Sequence, residues 1–139
     1  MIVFLRSILF SIPRHLCLQV ALFAVDNFEF SPLPAWTGWV VTVVFFLAIT
    51  YFFAEWVLIH RTPGWKEMLT VFLTFLIFGT FFEAATFVYI GGFDWSDVPK
   101  VMTWQSIYMV ILYGLSVWAA GFRVRRRQIR NSMPDGLES

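Results

Sequence analysis

The chain has 139 residues, a formal net charge of +1, 59% hydrophobic residues and only 14% charged ones. Soluble domains carry nearer 25% charged residues, and a chain this short has no interior able to bury so much apolar surface, so lipid is the solvent for most of it. The composition leaves room for one helical bundle and no separate soluble domain. The single cysteine, Cys17, excludes an intramolecular disulfide and a cysteine metal cluster, and is expected to serve as a small apolar packing residue.

A hydrocarbon core about 30 Å thick takes about 20 helical residues to cross. Residues 3–25 are the first candidate span and the most ambiguous one. Ser7, Ser11, Arg14, His15 and Leu18 share one side of a helix, with Gln19 at its edge, and Leu5, Leu9, Ile12, Leu16 and Phe23 form the other side. Two arrangements fit: a first transmembrane helix with its polar stripe inward, or an interfacial helix lying in the headgroups. An arginine at mid-bilayer costs roughly 2.5–3.5 kcal/mol on insertion scales, so in a span Arg14 must face other helices. Pro13 removes a backbone hydrogen bond and is expected to kink the helix. Pro13, Arg14 and His15 also interrupt the apolar run, which argues against a cleaved signal peptide.

The segment 26–35 carries Asp26, Glu29 and two prolines and reads as an outer loop. The second span, 36–59, opens on Trp36 and Trp39 and closes near Trp56, aromatic residues suited to headgroup level. Glu55 lies about one turn from its inner end, where hydration and Arg61 are expected to steady it. His60, Arg61, Pro63, Gly64 and Lys66 make a basic link, so this link belongs inside.

The third span, 67–92, contains Glu83 several turns from either end. A carboxyl group at that depth must be protonated, paired or facing water. Gly79, Thr80, Glu83 and Thr86 form a small and polar stripe that should face other helices. Glu83 reads either as polar glue for the bundle or as a protonatable site on an ion or substrate path. Counted at about 1.5 Å per residue from the outer boundary, Arg14 and Glu83 agree in depth within about 5 Å, so an Arg14–Glu83 ion pair is expected.

The link 93–100, with Asp94 and Asp97 against Lys100, belongs outside. The last span, 101–122, holds Ser116 and Ala120, a small-xxx-small pair that permits close helix approach. Arg123, Arg125, Arg126, Arg127 and Arg130 follow it and hold the basic tail, 123–139, in the cytoplasm. Residues 131–139 are polar and expected to be disordered.

The expectation is an all-α integral membrane helical bundle in one domain. It has four transmembrane helices (alternatively three plus an N-terminal interfacial helix), with both termini inside. The residues expected to carry function are Glu83, Arg14, Thr80, Thr86 and His15. No catalytic motif, metal-ligand cluster or cofactor signature is present. His15 and His60 differ in depth by roughly 15 Å, too far to clamp one haem. The expected partners are the lipid bilayer and a homo-oligomer or larger membrane complex, not nucleic acid, in a bacterial or archaeal cytoplasmic membrane. The sequence favours a non-enzymatic accessory or structural subunit acting through helix–helix interaction. The alternative is a small oligomeric transporter or channel that uses Glu83.

Overall fold

The structure is a computed structural model that describes residues 1–26, 36–60 and 62–132, with residues 25, 26 and 101–106 as backbone only. It contains α1 (Ile2–Asp26), α2 (Trp36–Leu58), α3 (Trp65–Tyr89) and α4 (Val98–Ser132). Four stretches are long and apolar enough to cross a membrane: Ile2–Ala24, Trp36–Leu58, Trp65–Tyr89 and Ile107–Ser132.

Local chemistry sets the helix ends. At the start of α3 the Glu67 carboxylate accepts the Gly64 N–H at 3.0 Å, and so satisfies one orphan donor of the first turn. At its far end Ile90 and Gly91 both donate to the Thr86 carbonyl, and Gly92 turns the chain with φ +70°. Only glycine adopts that left-handed conformation without steric cost. The link then closes on Asp97, which pairs with Lys100 at 2.9 Å in the first turn of α4.

The helices run up and down in a square, in the order α1, α2, α4, α3. The N-terminal turns of α1 and α3 come together, with Met1, Ile2 and Phe4 beside Lys66 and Thr70. α2 and α3 approach each other across the short diagonal. Across the long diagonal, among the described residues, α1 and α4 have no Cα atoms within 8 Å of one another.

Each helix buries one stripe at helical spacing: Ser7, Ser11, Arg14 and Leu18 on α1, Phe46, Thr50, Ala54 and Val57 on α2, Val71 and Phe75 on α3, and Tyr113, Val117, Ala120 and Val124 on α4. The opposite face of α1 is bare, with Leu9 at 65% exposure against 0% for Ser11. Polar inside and apolar outside is the reverse of a soluble helix and suits lipid surroundings. α1 is thus a full member of the bundle, as the spanning arrangement expects. The helix also runs unbroken through Pro13. Cys17, by contrast, is exposed on the apolar face and takes no part in core packing.

The first part of the basic tail is helical. α4 continues as helix through Arg123, Arg125, Arg126, Arg127 and Arg130 to Ser132. Arginine is a good helix former, and α2 holds the extension in place. Arg123 donates to the Tyr51 hydroxyl at 2.9 Å, Arg127 pairs with Glu55 at 3.1 Å, and the Gln128 amide donates to the Ile59 carbonyl at 2.8 Å. Arg61, the Glu29 loop over 27–35, and residues 133–139 of the expected disordered tail lie outside the described residues.

Candidate functional site

Arg14 is fully buried, at 0% exposure, halfway along α1. Its side chain crosses the wide diagonal of the bundle. The guanidinium carbon lies 4.8 Å from the ring centroid of Phe75 on α3 and 4.7 Å from that of Tyr113 on α4. Nη2 donates a long 3.5 Å bond to the Phe75 carbonyl. Gly79 makes room for this cluster, because a Cβ there would collide with the Tyr113 hydroxyl and lie 2.8 Å from Arg14 Nη2. Nε and Nη1 of Arg14 have no hydrogen-bond partner among the described residues. Two aromatic faces, the Phe75 carbonyl and the Tyr113 hydroxyl therefore hold a buried cation, the rings through quadrupoles that strengthen when water is excluded.

The expected Arg14–Glu83 ion pair is not formed. Among the described residues the ion pairs are Lys100–Asp97 and those of Arg123 and Arg127 with Glu55, and none joins Arg14 to Glu83 within 4.0 Å. The two residues do agree roughly in depth. Arg14 nevertheless turns toward the notch at Gly79, one helical turn before Glu83, where two rings are within reach.

Glu83 is half-buried and forms part of the wall of two crevices. The first, about 260 Å³, lies among all four helices and is lined by Leu22 of α1, Trp39 and Phe46 of α2, Glu83 of α3, and Tyr108 and Leu112 of α4. The second, about 380 Å³, runs along the α1–α3 seam past Gln19 and Thr86 to Ile90 and Gly91 at the end of α3. Glu83 lies about 10 Å below that end by helix rise. Below the crevices the bundle closes on Phe75, Thr50, Ala54, Val71, Val117 and Ala120, all buried.

His15 lies on the α1–α3 seam, stacked on Phe82 with ring centroids 5.3 Å apart. Its Nε2 is 3.3 Å from Thr86 Oγ1, and that hydroxyl donates to the Phe82 carbonyl at 2.9 Å. The Thr86 hydrogen is thereby committed, so Nε2 is the donor of the pair. The structure thus gathers Glu83, Thr86 and His15 along one seam and leaves Arg14 one turn deeper. Thr80 is half-buried on α3 and lines neither crevice.

Sequence reasoning missed Phe75 and Tyr113 as the partners of Arg14, and Trp39, Phe46 and Tyr108 as the wall opposite Glu83. The spacing of Tyr113 with Val117 and Ala120 on one face of α4 was a usable signal. Glu55 also has partners the sequence did not suggest, Arg127 and Arg123 from α4.

No known family, curated protein or solved structure matches this chain.

Proposed function

We propose that the chain is a small multi-pass protein of a bacterial or archaeal cytoplasmic membrane, with both termini in the cytosol, that admits a cationic solute to Glu83 as an oligomeric transporter or channel. One observation carries the reading. A carboxylate with no hydrogen bond or ion pair to the described residues lines a crevice that reaches the helix end at Gly91. A carboxylate in the membrane interior is costly, and one left accessible rather than paired fits a solute path. The crevices end above the Arg14 cluster, so the arrangement corresponds to a site open on one side. Orientation follows from charge: Arg6, Lys66 and the arginines of α4 gather at one end of the bundle, Asp94 and Asp97 at the other. The test is cation flux in proteoliposomes. Wild-type protein should support it, and Glu83→Gln should lower it at least tenfold while remaining folded; equal flux from both would defeat the reading.

The burial of Arg14 favours a second reading, that of an accessory or structural subunit acting through helix–helix contacts. Its guanidinium is used wholly inside the bundle, and Ser116 likewise donates to the Leu47 carbonyl of α2 at 3.2 Å. On this reading Glu83→Gln changes assembly alone and no flux is seen with either protein.

A further inference from the structure

We infer that the crevice that Glu83 shares with α2 and α4 is a binding site for a small quaternary organic cation, with Glu83 as its counter-charge and aromatic residues in its wall. The inference rests on the solute-path reading and names the chemical class of the solute. Among the described residues, Glu83 is the one charged group lining this crevice. Trp39, Phe46 and Tyr108 come from two different helices and supply three rings around it. A cation without N–H donors is attracted to the negative face of such rings and needs no hydrogen-bond acceptor beyond a single carboxylate.

The wall suits other ligands less well. A calcium ion takes six to eight oxygen ligands and magnesium a full octahedron, whereas the crevice offers the oxygens of Glu83, Thr42 and Tyr108 among apolar groups. Among the described residues, no group of three His, Cys, Asp or Glu side chains could hold a metal ion. Thr42 spends its hydroxyl hydrogen on the Gly38 carbonyl at 3.0 Å, so it donates nothing to a ligand. An anion would face the unpaired carboxylate. Arg14 does not line the crevice; it lies beneath, covered by the rings of Phe75 and Tyr113. A lipid acyl chain would fill the apolar part but leave Glu83 no counter-charge closer than the Arg14 guanidinium below it, which makes no contact ion pair with it. The volume of about 260 Å³ limits the occupant to a small molecule.

The experiment uses the full chain in lipid nanodiscs and three probes: benzyltrimethylammonium, its uncharged carbon isostere neopentylbenzene, and potassium ion. Binding is read by calorimetry and by quenching of tryptophan fluorescence, to which Trp39 contributes from the crevice wall. The expected result is saturable binding of the ammonium probe, with the isostere at least tenfold weaker and potassium without effect. Glu83→Gln should weaken the ammonium probe about tenfold and leave the isostere unchanged, and Trp39→Leu should weaken it several-fold. Equal binding of the isostere would overturn the inference and make the crevice a lipid-chain groove. So would undiminished ammonium binding by folded Glu83→Gln. Should that variant fail to fold, the comparison of probe and isostere on the wild-type protein decides alone. Saturable ammonium binding without flux would support the site and defeat the transport reading. Flux of potassium or protons that depends on Glu83, without ammonium binding, would support transport and overturn the proposed ligand.

Discussion

Arg14 and Tyr113 bridge the two helices that the backbone holds apart. The guanidinium carbon of Arg14 on α1 stands 4.7 Å from the Tyr113 ring centroid on α4, although the two helices make no Cα approach within 8 Å among the described residues. One long side chain thus spans the wide diagonal of the bundle. It closes the interior just below the crevice that Glu83 lines.

The first prediction concerns the worth of that bridge. Among the described residues, Arg14 has no carboxylate within ion-pair distance and two guanidinium nitrogens without hydrogen bonds. Replacing a buried ionic group by an apolar one of similar shape is often neutral or stabilising. Arg14→Met should therefore stay within about 2 kcal/mol of wild type, the lost cation–π contacts offsetting the relieved desolvation. Arg14→Ala leaves a void and should lose about 2–5 kcal/mol. Unfolding titrations in detergent distinguish these outcomes. A Met variant as unstable as the Ala variant would mean that the charge itself holds the bundle.

Gly79 supplies the second prediction. A methyl group there would collide with the Tyr113 hydroxyl and press on Arg14 Nη2 at 2.8 Å. Gly79→Ala should cost about 1–3 kcal/mol through overpacking. Tyr113→Phe removes the obstructing oxygen, so the double variant should recover most of that loss. The coupling in the double-mutant cycle should fall in the range of about 0.5–3 kcal/mol. A cycle that closes with no coupling would place the clash elsewhere.

The architecture was legible in the sequence because lipid imposes strong rules. Apolar runs of bilayer length gave α2, α3 and α4, and for α1, left open between a span and an interfacial helix, the Ser7–Ser11–Arg14–Leu18 spacing identified the buried side with the exposed Leu9 and Leu16 opposite. The partners were not legible, because periodicity fixes which side of a helix faces inward but not which neighbour it meets. Arg14 and Glu83 agree in depth, yet the open notch at Gly79 and the rings of Phe75 and Tyr113 attract the guanidinium first. The length of α4 was not legible for a related reason: the arginines gave no sign that their contacts with Tyr51 and Glu55 extend the helix to Ser132.

That anchoring gives the third prediction. Glu55 is 13% exposed at its side chain, and it meets Arg127 at 3.1 Å and Arg123 at 3.9 Å, both of which are about half exposed. Pairs this open are worth about 0.2–1 kcal/mol. Glu55→Gln should lower stability by about 1 kcal/mol at low ionic strength, and the difference should shrink in high salt as the charges are screened. Thermal melts of both proteins at two salt concentrations check this. A loss of several kcal/mol, unmoved by salt, would make the pair a buried one.

The last prediction fixes the orientation. Arg6 donates to the Trp56 carbonyl at 3.0 Å, which places it at the same end as Glu55, Arg123 and Arg127, and Lys66 opens α3 beside the first turn of α1. All these cations crowd one end of the bundle, while Asp94 and Asp97 occupy the other. Basic residues flanking short loops stay on the cytoplasmic side. Ser96 and Ser132 are both exposed and lie at opposite ends, so each serves as a reporter. In a Cys17→Ala background, Ser96→Cys should react with a membrane-impermeant maleimide in intact cells. Ser132→Cys should react only after permeabilisation. The reverse pattern would invert the bundle, and would turn the Glu83 crevice toward the cytosol instead of the outside.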